Sequence, residues 1–287
     1  MSALALPAMS MPIDASASIG IFDSGIGGLS VLRHVRAALP AEQLLYFADS
    51  GFAPYGDKRE VEIVARSLAI ADFMVAQGVK ALVVACNTAT AAAIEAIRQQ
   101  WPALIVIGIE PGLKPAALQS KSGTVGVLAT RSTLASTRFM ALRAQLLAGG
   151  RTRFLSQACV GLVDHIEKGE LQAPVTAALI DRYVMPLIAQ GADTLVLGCT
   201  HYPFVRSLIE ASARQAGCMT PLIIDTGEAV TRQLLRLLEG RALLCKSGMP
   251  GTLLAYTTAS ASSLSTALTQ LLKMSAEVRE VGNQTAT

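Results

Sequence analysis

The sequence predicts an α/β protein of two related halves, each a parallel sheet flanked by helices, with a site between them. Two observations carry this. One stretch occurs twice: residues 77–86 read Gln-Gly-Val-Lys-Ala-Leu-Val-Val-Ala-Cys, and 113 positions later residues 190–199 read Gln-Gly-Ala-Asp-Thr-Leu-Val-Leu-Gly-Cys. In each copy the Gly suits the end of a preceding helix, and the apolar run is long enough for one buried strand. A cysteine closes each run and polar residues follow it, so each thiol is expected at the carboxyl end of a strand, where open α/β sheets bind ligands. Two further pairs of segments keep the same order. Residues 18–24 resemble 124–130, offset by 106, and residues 106–110 resemble 222–225, with Glu110 meeting Asp225 at an offset of 115. A single matching pair would mean little, because all strand–helix–strand units look alike. Three pairs in register, with matched cysteines, indicate a duplication.

Taken in order, a first strand ends at Phe22 and runs into the glycine-rich turn Asp23-Ser24-Gly25-Ile26-Gly27-Gly28, then a helix over 29–38. The glycine spacing misses Gly-x-Gly-x-x-Gly, which argues against a dinucleotide. The glycines are expected to let the backbone approach a small ligand closely, with Asp23 and Ser24 as ligand groups or helix caps. A strand over 44–48 leads into a turn shaped by Pro54 and Gly56, where Tyr55 is a candidate ligand wall. A helix over 59–77 presents Val61, Val64, Ala65, Leu68 and Phe73 inward. The strand ending at Cys86 is followed by a helix that stops near Trp101-Pro102, and a strand over 104–109 follows. The second half opens with a strand over 124–128, a helix to about 147 and a strand over 153–158 ending at Cys159. Asp164, His165 and Glu167 lie just beyond. A helix over 171–190 contains Pro186. After Cys199, Thr200 and His201 come a helix, a strand over 222–224, a helix over 228–238, a strand over 252–256 and a helix over 262–274.

Composition narrows the function classes. With 52% hydrophobic residues, 287 positions supply a substantial core for two ordinary domains or one large α/β domain. A formal charge of +3 is too small and too dispersed to imply nucleic acid. The five cysteines include no Cys-x-x-Cys, and with three histidines they offer no zinc-ligand spacing; no metal is expected. The cysteines read as reduced thiols of a cytoplasmic protein. No charge-free run of eighteen apolar residues suggests a membrane span, and the first 17 residues read as a loose extension rather than a signal peptide. Cys218 and Cys245 read as small core residues.

Two strand-end thiols facing one cleft have a specific chemistry. A cysteine at a helix N-terminus is expected to have a lowered pKa, so one thiol can act as base while the other acts as acid. On opposite faces of a carbon the pair removes a proton from one side and delivers one to the other, inverting a stereocentre without a cofactor. The developing carbanion needs hydrogen-bond donors, and Asn87, Thr88, Thr200 and the amides after each cysteine are placed to supply them. Asp23 and His201 are candidate assistants to Cys86 and Cys199 respectively.

The motifs at residues 20–30, Pro54-Tyr55-Gly56, Ala85-Cys86-Asn87-Thr88-Ala89 and Gly198-Cys199-Thr200-His201-Tyr202-Pro203 closely resemble the glutamate racemase family, over about 19–238. The resemblance implies two pseudo-symmetric Rossmann-like (flavodoxin-like) domains with parallel central sheets and the active site between them. It implies domains of 18–112 plus 225–275 and of 113–224, with a flexible extension over 1–17 and a flexible tail over 276–287. It implies cofactor-independent interconversion of L- and D-glutamate for peptidoglycan synthesis. Cys86, Cys199, Asp23 and His201 would be catalytic. Asp23, Ser24, Pro54, Tyr55, Gly56, Asn87, Thr88, Thr130, Thr133, Thr200 and His201 would bind substrate. A homodimer and control by a cell-wall precursor are further expectations. Many members carry a Glu near the second cysteine in a Leu-Val-Glu stretch; here the nearest match is Leu162-Val163-Asp164. Aspartate differs from glutamate by one methylene, worth only about 1–3 kcal/mol of discrimination, so an aspartate racemase and a non-catalytic amino-acid-binding protein stay open.

Overall fold

The computed structural model describes residues 14–282 apart from 151. In chain order the first half contains β1 (Ile19–Asp23), α1 (Leu29–Ala38), β2 (Leu44–Ala48), α2 (Glu60–Ala76), β3 (Ala81–Val84), α3 (Asn87–Gln100) and β4 (Ile105–Gly108). There follow α4 (Leu113–Gln119), β5 (Thr124–Ala129), α5 (Arg131–Ala135), α6 (Thr137–Ala148), β6 (Arg153–Ala158), α7 (Leu162–Glu167), α8 (Pro174–Ala189), β7 (Thr194–Gly198), α9 (Arg206–Gln215) and β8 (Leu222–Ile224). The chain then continues through α10 (Gly227–Gly240), β9 (Leu253–Thr257), α11 (Ala261–Ala267) and β10 (Glu277–Glu280). The strands form two all-parallel sheets, β10-β9-β2-β1-β3-β4 and β6-β5-β7-β8.

The order β2-β1-β3-β4 repeats as β6-β5-β7-β8, so the duplicated sequence segments occupy equivalent strands. The helix-ending glycines behave as expected: Gly78 and Gly191 have φ of +76° and +91°, and their amides donate to Val75 and Ile188 carbonyls. Every residue of β1, β2, β3 and β7 is buried, which is why these strands read as continuous apolar runs rather than alternating ones. Ile19 and Ile21 point into an apolar cluster that continues through Leu128, Leu195 and Leu197 of the second half, whereas Phe22 points into a cluster built from the first half and the returning β9 segment. The two sheets therefore share one core.

Two expectations at the chain ends are corrected. Residues 277–280 form a sheet edge rather than part of a flexible tail. Parallel pairing with β9 engages one side of their backbone, and Val278 packs on the core while Glu277, Arg279 and Glu280 face outward. Four residues are too few and too polar for their sequence to announce this. Of the expected loose extension, residues 14–17 form a turn, and the Ala15 carbonyl accepts from buried Lys80. Residues 1–13 and 283–287 lie outside the described residues. The single helix expected to about 147 is two, α5 and α6, because Ser136 caps the second through the Phe139 amide.

Candidate active site

The cleft lies between the carboxyl ends of the two sheets. Cys86 and Cys199 both line it, together with Ser24, Pro54, Tyr55, Gly56, Asn87, Thr88, Thr130, Thr200 and His201. Asp23 and Thr133 sit one layer behind, 0% and 1% exposed. Each thiol follows a central strand and is almost fully buried. Cys86 caps α3, its sulfur accepting from the Ala89 amide at 3.5 Å, and its thiol lies 3.6 Å from Ser24 Oγ.

The two thiols stand in opposite electrostatic surroundings. Burial pushes the Cys86 thiol up to about 12, with the Asp23 carboxylate adding to the rise and the Ala89 amide and Ser24 opposing it. The expected lowering at a helix N-terminus is thus overturned: one long amide bond does not offset complete desolvation. Cys199 instead has His201 Nδ1 at 3.6 Å, and His201 Nε2 is 2.5 Å from Glu167 Oε1. Burial alone would push His201 down, but the Cys199 sulfur and the Glu167 carboxylate outweigh it and hold the ring well above its ordinary value. With the ring protonated both nitrogens donate, Nδ1 toward the Cys199 sulfur and Nε2 to Glu167.

Asp23 does not bond Cys86. Its Oδ1 accepts the Gly25 amide at 3.0 Å and its Oδ2 the Thr200 hydroxyl at 3.0 Å; it reaches the thiol as a charge through space. Burial raises its own pKa, and the neighbouring Glu167 reinforces this against His201 and the two donors. Thr88 and Thr130 hydroxyls meet at 3.0 Å across the cleft, backed by Thr133 at 2.9 Å from Thr130. The Asn87 amide is 3% exposed and neither its oxygen nor its nitrogen has a protein partner. An orphaned amide on the cleft wall is a costly arrangement that a bound polar ligand relieves.

Three features were invisible in sequence order. The carboxylate behind His201 is Glu167, not Asp164; it lies one helical turn further along α7, and Asp164 lines the cleft. The Tyr55 hydroxyl donates to buried Asp49 at 2.6 Å, and Asp49 is held by Arg66 Nε at 2.7 Å and by Thr258. Tyr55 therefore braces the wall with its hydroxyl already committed. The glycine turn serves the other half of the protein rather than a ligand: a Cβ on Gly25 would fall 2.0 Å from Glu167, and one on Gly27 2.4 Å from His201. Cys159 is a third buried thiol of the cleft wall, its pKa raised by burial. Among the described residues no group of three His, Cys, Asp or Glu is arranged to hold a metal.

A family model described as Asp/Glu/Hydantoin racemase matches residues 19–234. The chain belongs to this family. It is 52% identical over 228 residues to a glutamate racemase of Ectopseudomonas mendocina, covering 79% of this chain and 84% of that one. Among solved structures, glutamate racemase isoform RacE1 of Bacillus anthracis superposes with a TM-score of 0.83 at 30% identity, covering 93% of this chain and 98% of that one. Escherichia coli glutamate racemase, solved with L-glutamate and the activator UDP-MurNAc-Ala, gives 0.78 at 29% identity, covering 92% and 97%. The family's two-sheet α/β architecture is that of this chain.

Proposed function

We propose that this enzyme interconverts L- and D-glutamate without a cofactor, through Cys86 and Cys199. The observation that carries the reading is the pair of strand-end thiols on one cleft, one neutral and one beside a charged imidazole. In one direction Cys199 as thiolate takes the Cα proton, the electron pair passes into the adjacent carboxylate as an enolate, and Cys86 protonates the opposite face. One proton is taken and one is given, so only the thiol protonation pattern is exchanged. In the other direction Cys86 is the base, and Asp23 is its candidate proton acceptor, as His201 is for Cys199. Ser24, Asn87, Thr88, Thr130 and Thr200 supply hydroxyl and amide groups to the substrate and its developing charge. Pro54, Tyr55 and Gly56 form a wall, and Thr133 supports Thr130 from behind.

The relatives named above carry the glutamate assignment. The reading extends to D-glutamate supply for peptidoglycan, in the cytoplasm, by a homodimer responsive to a cell-wall precursor; the E. coli relative's activator motivates the last element. Incubation with L-glutamate in deuterated water, no cofactor added, tests the core of it. Loss of the Cα–H signal together with loss of optical rotation is expected. Exchange without inversion overturns the two-thiol mechanism, and inactivity on glutamate with turnover of aspartate overturns the substrate. Rate measurement with and without UDP-MurNAc-Ala tests regulation, and sedimentation tests the dimer.

A further inference from the structure

The first half holds the segment after Cys199 at two points, both on Thr200, and the Glu167 carboxylate behind His201 at a third. Asp23 Oδ2 accepts from Thr200 Oγ1, the Ile26 amide donates to Glu167 Oε1 at 2.8 Å, and Ser30 Oγ lies 2.8 Å from the Thr200 carbonyl. The last contact has no role in the chemistry described so far. Ser30 is on the first turn of α1, 2% exposed, and its hydroxyl is also 2.8 Å from the Gly27 carbonyl. A hydroxyl has one proton, so Ser30 shares it between a carbonyl of its own half and one of the other. The peptide it grips joins Thr200 to His201, and Cys199 is one residue back. The turn beneath is packed to contact, since a Cβ on Gly27 would meet both His201 and Thr200 at about 2.5 Å.

The opposite thiol is secured differently. After Cys86, Thr88 meets Thr130 and Thr133 of the second half through hydroxyls at 3.0 and 3.3 Å, all within reach of the cleft. Ser30 instead acts from behind the strand end and does not itself line the cleft.

We propose that Ser30 is the positioning residue of the second thiol: by binding the Thr200 carbonyl across the two halves it sets the Cys199–His201 segment against the substrate's Cα. This rests on the two-thiol reading above. A fixed peptide matters because misplacement of an acid–base group by about 1 Å costs on the order of 10²-fold in rate.

The experiment must separate the two thiols. For a racemase the equilibrium constant is one, so kcat/KM falls equally in both directions whichever thiol is impaired. Asymmetry appears instead in the primary deuterium isotope effect on kcat/KM. If Cys199 is displaced, deprotonation of the enantiomer it attacks becomes rate-limiting and its isotope effect rises, while that of the other enantiomer falls toward unity. The C199S variant identifies the enantiomers, since in deuterated water only the one that Cys86 deprotonates should still exchange. S30A is expected to lower kcat/KM about 10- to 100-fold with the isotope asymmetry described. S30T, which restores the hydroxyl, should recover both, and S30C, close in volume but a weak donor, should show the asymmetry in smaller degree. Equal isotope effects in folded S30A or S30C, or losses matching only a lower melting temperature, overturn the positioning role while leaving the two-thiol reading intact. Exchange of both enantiomers, or of neither, in C199S overturns that reading and this inference with it.

Discussion

Cys86 and Cys199 look alike in sequence, yet one is buried beside a carboxylate and the other beside an imidazole bonded to Glu167. The E167Q variant keeps an acceptor for His201 and for the Ile26 amide but removes the carboxylate charge that, with the Cys199 sulfur, raises the ring's pKa. The His201 ionisation in the pH–rate profile should move to lower pH, with kcat down roughly 10- to 100-fold; an unmoved profile would remove Glu167 from the relay. Asp23 makes a prediction of opposite sign for stability. Burial raises its folded-state pKa, so its favourable contribution is complete below the unfolded value and is lost as pH rises through the folded one. At neutral pH Asp23 is a cost, which an active site tolerates for function. D23N should melt higher than the native chain at pH 7, the advantage shrinking toward pH 4, and should lose most activity. Thermal melts across that range check the sign.

At the scale of elements, the glycine turn between β1 and α1 is a docking surface. G27A places a methyl 2.4 Å from His201 Nδ1 and 2.5 Å from Thr200 Oγ1, and no unusual backbone angle is involved. The His201 and Thr200 side chains must shift to admit it. Overpacking of this kind costs about 1–3 kcal/mol, and kcat/KM should fall by roughly 10²-fold, since displacement of about 1 Å suffices for that. G78A is the contrast. Its φ of +76° is strained for alanine, but nothing lies within 4 Å of its Cβ. It should cost about 1 kcal/mol of stability and leave kcat and KM alone. Equal kinetic damage in both variants would show that the turn acts on general stability only.

For the whole molecule, bonds across the halves bracket the cleft. Ser132 and Thr88 reach across on one side, and Ile26, Ser30 and Asp23 on the other. On the proposed function, a substrate seated between them would engage the otherwise unpaired Asn87 amide and stabilise both halves at once. Glutamate of either hand at 100 times its dissociation constant should therefore raise unfolding free energy by about 2.7 kcal/mol, seen as an upward shift of a single transition. Two separate transitions, only one of them moving, would contradict a shared core and site.

The amino-acid sequence by itself determined the two-sheet α/β plan, because buried parallel strands require apolar runs and helix ends require glycine, and both leave local marks. It also marked both thiols, since each ends a duplicated run at a strand's carboxyl end. The terminal strand β10 escaped it, because four polar-rich residues form a strand only when β9 offers an edge. Glu167, Asp49, Arg66 and Ser30 escaped it for a related reason. Their roles come from partners outside their own elements, 17 residues apart for Asp49 and Arg66, 34 for Glu167 and His201 and 170 for Ser30 and Thr200. The reversal of the Cys86 expectation has the same origin. Local position at a helix start favours a thiolate, but the degree of burial is a property of the closed pair of halves, and here it dominates. Only the tertiary structure could decide that balance, because desolvation is set by everything packed around a group and not by its neighbours in sequence.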